Sequence, residues 1–146
     1  MDCIYCGSKT KIINSRAQKA DHQTWRRHKC LNCHSTITSV EQITYTDALR
    51  VHKRDKQIEP FVRDKLFLSI YQSVRHLDSP TIIATNLTTT VLRHMLKNLS
   101  GPLISSDQLA KLVCQTLKQY DAAGAVRYLS FQTKLQIPSD IHRSLK

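Results

Sequence analysis

Cys3-Ile4-Tyr5-Cys6, followed after 23 residues by Cys30-Leu31-Asn32-Cys33, places four thiols in two CxxC pairs in the first quarter of a 146-residue chain. The gap slightly exceeds the roughly 15–20 residues usual for a paired-CxxC zinc site, and hairpin strands absorb the difference. Four thiolates form a closed tetrahedral shell suited to a borderline-soft cation such as Zn2+, each CxxC turn presenting two sulfurs on one side. The competing readings are a redox CxxC, which usually stands alone beside a βαβ pattern, and disulfides, which belong to oxidising compartments. His28 and His34 flank the second pair and are weighed as substitute ligands, but four cysteines are already in register. The acids of this segment, Asp2, Asp21 and Glu41, supply no acid–base pair, so the metal reads as structural.

Working outward, Lys11-Ile12-Ile13 and Thr24-Trp25-Arg26 are β-prone, and Ala17–Gln23 supplies a polar turn, so the simplest fold for residues 1–46 is a zinc ribbon. Its apolar residues are too few for a sufficient core, and a scaffold of this size needs a staple. Trp25 could stack on a base or cap what core there is, and the core is the favoured reading. The run Arg26-Arg27-His28-Lys29 leads into the second CxxC, and on a strand its side chains alternate, Arg26 and His28 on one face, Arg27 and Lys29 on the other. Arg16 lies near the opposite hairpin arm. Cations stiffened by a metal knuckle suit phosphate contacts.

Composition agrees with a polyanionic partner. Lys and Arg number 22 against 11 acids, a net charge of +11, distributed as +4 over residues 1–46, +5 over 47–132 and +2 over 133–146. The length excludes a large multidomain enzyme, and no nucleophile–base pair or metal-activated water is discernible, so the chain is not read as an enzyme. No run approaches the roughly 18 apolar residues of a membrane span. The opening MDCIYC has the character of neither a signal nor a transit peptide, and a cytoplasmic location is expected.

From Ala48 onward the pattern becomes mainly helical. A short strand over Leu49–Lys53, the turn Arg54-Asp55-Lys56-Gln57 and Ile58–Phe61 lead into a helix carrying Leu66, Ile70, Val74 and Leu77 at helical spacing. A second helix is expected from about Thr81 to Leu99, weakened by Thr88-Thr89-Thr90 and ended by Gly101-Pro102. Ser105 and Gln108 have capping-box spacing for a third, and Asp121 can cap a fourth. The sum is an α+β domain of about four helices on a small sheet, spanning 47–132, followed by a basic tail, 133–146, expected to be disordered or to contact other copies. Cys114 reads as a buried inert thiol. Lys53, Arg54 and Lys65 gather around one turn with Glu59 as acceptor, a chemistry suited to an anionic ligand such as a phosphate, although a solvated basic edge explains the same residues. No Walker-type loop is present.

Taken in order, Cys3-x-x-Cys6, Asn14-Ser15-Arg16, Trp25-Arg26-Arg27-His28-Lys29-Cys30-x-x-Cys33, Val51-His52-Lys53-Arg54-Asp55, Glu59-Pro60-Phe61, Lys65-Leu66 and Val126-Arg127-Tyr128 resemble the NrdR family over about residues 1–132. These are bacterial transcriptional repressors of ribonucleotide reductase genes, built from a zinc ribbon and an ATP-cone. The resemblance implies that ATP and dATP bind the cone and set the homo-oligomeric state. That state positions the ribbons on double-stranded operator DNA, in the cytoplasm and at the nucleoid. It assigns Lys53, Arg54 and Lys65 to phosphates, Glu59 and the Val51 region to base or sugar, Phe61 to the pocket lining and Ser105 to a position near the nucleotide. Arg16, Arg26, Arg27 and Lys29 match DNA-contacting positions. Departures include Ile4 for proline, Asn14 for aspartate, a shortened arginine run, and Lys56 where many cones carry glycine, which implies a left-handed turn at a lysine. The alternative is a zinc-ribbon nucleic-acid or protein-interaction module with a vestigial cone.

Overall fold

A computed structural model describes residues 1–19 and 22–131, divided into a unit of Met1–Thr44 and a second unit beginning at Tyr45. The expected turn over Ala17–Gln23 lies partly outside the described residues, and the basic tail wholly so.

In the first unit β1 (Thr10–Gln18), β2 (Gln23–Cys30) and β3 (Thr36–Gln42) form an antiparallel sheet in the order β1-β2-β3. The register shifts between Ile12 and Asn14, a bulge on β1. Among the described residues the only buried hydrophobic ones of this unit are Cys3, Cys30 and Ile37, so the metal site and its core are nearly the same object. Trp25 is not among them. The expectation that it caps the core is corrected, because strand alternation sets it on the face opposite Cys30 and Ile37, where it is half-buried.

The second unit begins with a single helical turn, α1 (Tyr45–Ala48), that the sequence pattern did not signal. There follow β4 (Arg50–His52), β5 (Ile58–Pro60), α2 (Arg63–Val74), α3 (Pro80–Asn98), β6 (Leu103–Ser105), α4 (Ser106–Tyr120) and α5 (Ala122–Phe131). The sheet order is β5-β4-β6, β4 pairing antiparallel with β5 and parallel with β6. Phe61, Ile70, Val74, Val91, Met95, Val113 and Leu117 are fully buried between the helices.

Local chemistry explains the helix boundaries. Pro80 opens α3, where its missing N–H costs nothing. Along α3 the hydroxyls of Thr85, Thr88, Thr89 and Thr90 each donate to the carbonyl four residues back, which lets a threonine-rich segment sit inside a helix. Ser105 and Gln108 form the reciprocal capping box of α4. Asp121 accepts from the Gly124 N–H at 2.6 Å and pairs with His76 Nε2 at 3.1 Å, tying the start of α5 to the end of α2. Cys114 is buried on α4, and burial pushes its thiol pKa up.

Candidate functional site

The four sulfurs of Cys3, Cys6, Cys30 and Cys33 lie within 4.8 Å of one another. Cys3 and Cys33 are 3.6 Å apart, and Cys6 and Cys30 are 3.5 Å apart. A tetrahedral zinc with Zn–S bonds of about 2.3 Å requires sulfur separations of about 3.8 Å, so the donor set fits that ion. The two knuckles repeat one backbone design. Cys3 N–H donates to the Ser8 carbonyl at 2.8 Å, and Cys30 N–H donates to the Ser35 carbonyl at 2.9 Å. The residue after each second cysteine is left-handed, Gly7 with φ 70° and His34 with φ 60°. His34 is exposed and shapes this turn. His28 is buried, its Nε2 2.8 Å from Ser39 Oγ and its Nδ1 3.4 Å from Thr10 Oγ1, and neither histidine joins the sulfur cluster.

Ser35, which sequence reasoning passed over, places its hydroxyl 2.9 Å from Cys33 Sγ and 3.4 Å from Cys3 Sγ. The Ser35 hydroxyl, then the Tyr5 backbone, hold Cys3 below the ordinary thiol range. The Ser8 backbone, then its side chain, bring Cys6 down to about 6. Burial pushes Cys30 up, and a dication at the centre would oppose that by favouring the thiolate.

On the sheet above this centre the registers sort the cations. Lys11 faces Lys29, Asn14 faces Arg27 and Arg16 faces Trp25, so Lys11, Arg16, Arg27 and Lys29 share one face with the indole. Arg26 points to the other face, beside His28, where it hydrogen-bonds Glu41. Of the four cations that sequence reasoning grouped, the structure brings together Arg16, Arg27 and Lys29 and separates Arg26.

In the second unit a cavity of about 210 Å³ is lined by Val51, Glu59, Phe61, Lys65, Ser106 and Tyr128, among others. Val51 and Phe61 are buried, and Phe61 meets Tyr45 edge-on at 6.4 Å. Glu59 receives two lysines, Lys53 Nζ at 2.8 Å and Lys65 Nζ at 3.4 Å. The Lys53 contact, against some desolvation, holds the Glu59 carboxyl below its usual range. Arg54, at the β4–β5 turn, donates from Nε to Asp107 Oδ1 at 2.6 Å in the first turn of α4. Ser105 spends its hydroxyl on the helix cap, and its neighbour Ser106 lines the cavity instead. Burial raises the Tyr128 hydroxyl to about 12, so it stays protonated beside the cavity. Lys56 sits at φ 67°, the left-handed conformation that the turn demands.

The sequence matches two family models, the N-terminal domain of NrdR-like transcriptional repressors over residues 1–41 and the ATP cone domain over residues 49–134. A protein named transcriptional repressor NrdR from Finegoldia magna is 31% identical over 134 residues, covering 89% of this chain and 86% of that protein. The chain belongs to the NrdR family. The NrdR of Halorubrum lacusprofundi is 30% identical, covering 99% of this chain and 89% of its own, and that of Symbiobacterium thermophilum is 25% identical, covering 100% and 96%. These NrdR proteins are named as transcriptional repressors and not as enzymes. Within the NrdR framework this chain therefore joins a four-cysteine zinc ribbon to an ATP-cone. Among the described residues no helix is long and apolar enough to cross a membrane.

Proposed function

We propose that this chain is a nucleotide-responsive repressor that binds operator DNA upstream of ribonucleotide reductase genes in the cytoplasm, with ATP and dATP selecting its homo-oligomeric state. The observation that carries this reading is the pairing, in one NrdR-family chain, of a metal-clamped sheet with a cationic face and a cavity edged by Lys65 and Glu59. Cys3, Cys6, Cys30 and Cys33 hold a structural zinc, which supplies rigidity and no reaction. Arg16, Arg27 and Lys29, with Lys11 beside them, neutralise DNA phosphates and release counterions. At the cavity a triphosphate competes with Glu59 for Lys53 and Lys65. The released carboxylate then accepts from a sugar hydroxyl or base amino group, near the Val51 backbone and Phe61. Differential binding of ATP and dATP to two assemblies is the whole energetic basis of such a switch.

A second reading has one observation in its favour. The cavity, about 210 Å³, is smaller than the roughly 300–1,000 Å³ of most ligand sites, as a vestigial cone would be. Calorimetric titration of the full chain separates the two. ATP and dATP should bind the wild type, and Lys65→Ala should lose that binding with zinc content intact. Light scattering should give different masses with ATP, with dATP and with neither. Absence of heat and unchanged mass would leave the vestigial cone as the correct description.

A further inference from the structure

Trp25 is the sole tryptophan of the chain and stands half-buried on the strand face that carries Lys11, Arg16, Arg27 and Lys29. Arg16 is its direct cross-strand neighbour on β1 and Val40, itself exposed, is its neighbour on β3. Along β2, Trp25, Arg27 and Lys29 follow one another at alternate positions, a row about 13 Å long at the usual strand rise. Among the described residues this face bears no carboxylate. Asp2 pairs with Lys9 at 2.9 Å, and Glu41 faces the other way, toward Arg26. The half-buried indole thus lies beside Arg16 and two positions along β2 from Arg27.

Resting on the repressor reading above, we propose that Trp25 is a direct contact to duplex DNA. Its ring packs on a deoxyribose, and its N–H donates to a phosphate oxygen of the strand that Arg16 and Arg27 neutralise. Arg26, engaged by Glu41 on the opposite face, stays off the DNA. A phosphodiester backbone fits this surface because it is the one partner that presents anionic acceptors and apolar sugar surface in alternation, matching cations and indole on one face. The contact positions the ribbon and carries no base information, so it forms on any duplex.

The experiment uses the zinc-loaded full chain and a short mixed-sequence DNA duplex with a terminal dye, at low salt. Dye anisotropy reports binding, and the emission and acrylamide quenching of Trp25 report whether that residue is covered. Emission should change in step with anisotropy, quenching should fall, and both should reverse with added salt. Trp25→Ala should weaken binding about five-fold or more, Trp25→Phe should fall between it and the wild type, and Arg26→Ala should leave the salt slope unchanged. Zinc content and melting of each variant guard against a folding defect, and the wild-type fluorescence needs no variant. Normal anisotropy with Trp25 emission and quenching unchanged overturns the contact while sparing the repressor reading. Absence of any anisotropy change overturns both, and tighter binding of an RNA duplex than a DNA duplex transfers the surface to a different polymer.

Discussion

Removing zinc should melt one unit and spare the other. Among the described residues of the ribbon only Ile37 is a conventional buried apolar side chain, since the other buried hydrophobic residues are two metal-ligand cysteines. Burial of one isoleucine is worth about 1.5–3 kcal/mol, against an apparent ~10–16 kcal/mol for a structural zinc. The metal contribution exceeds the apolar one several-fold and matches the whole ~5–15 kcal/mol stability of an ordinary domain. The second unit has its own core of 18 buried residues, none of them a metal ligand. Chelator titration of the full chain, followed by backbone amide NMR, should therefore collapse the signals of β1–β3 in proportion to zinc released. The amides of α2–α5 and the helical melting transition should hold. Cys6→Ser should reproduce the chelated spectrum. Retention of dispersed ribbon amides without metal would refute the reasoning, and so would loss of the helices together with the ribbon.

Three other outcomes follow from the cone. Asp107→Asn frees Arg54 from its 2.6 Å contact; because an exposed pair is worth about 0.2–1 kcal/mol, triphosphate affinity should rise by up to about five-fold, and calorimetry showing a loss would contradict the tether. Glu59 is held below its usual range chiefly by Lys53. Its stabilising effect is therefore present above the unfolded carboxyl value of about 4.3 and is lost as pH falls through the lower folded value. Glu59→Gln should accordingly melt earlier than wild type at neutral pH and converge with it in acid, and a constant gap across pH would refute the ion pairs. Lys56→Gly removes a side chain from a φ of 67°; relief of about 1–2 kcal/mol, less about 0.5–1 kcal/mol of added chain entropy, should leave a net gain of up to about 1.5 kcal/mol in urea denaturation, and a loss would mean that the lysine makes a compensating contact.

The features legible in the sequence were those written in fixed local spacing. CxxC pairs encode knuckles, Ser105 and Gln108 encode a helix start, and Leu66, Ile70 and Val74 encode a buried stripe, because each depends on residues within one turn or one loop. Alternation along β2 also separated Arg26 from Arg27 correctly in direction. What it could not supply was the partner, since Glu41 meets Arg26 only through the β2–β3 register. The bulge between Ile12 and Asn14 likewise has no local signature, yet it sets which side chains of β1 join Arg27 and Lys29. From its sequence Trp25 reads as a base-stacking residue or as core, and the favoured core reading fails because a three-stranded sheet built on four sulfurs buries almost nothing else among the described residues. Strand β6 is three residues long, too short for any periodicity, and is specified by its parallel pairing with β4 and the burial of Ile104. Ser35 and Ser106 escaped for the same reason: a lone serine acquires its role only from what the fold brings to it.

The most direct test of the account is the affinity of the zinc-loaded chain for duplex DNA taken from upstream of its own organism's ribonucleotide reductase genes, measured with ATP, with dATP and with neither. The affinity should differ between the two nucleotides, and Lys65→Ala should abolish the difference. Equal affinity under all three conditions would contradict it.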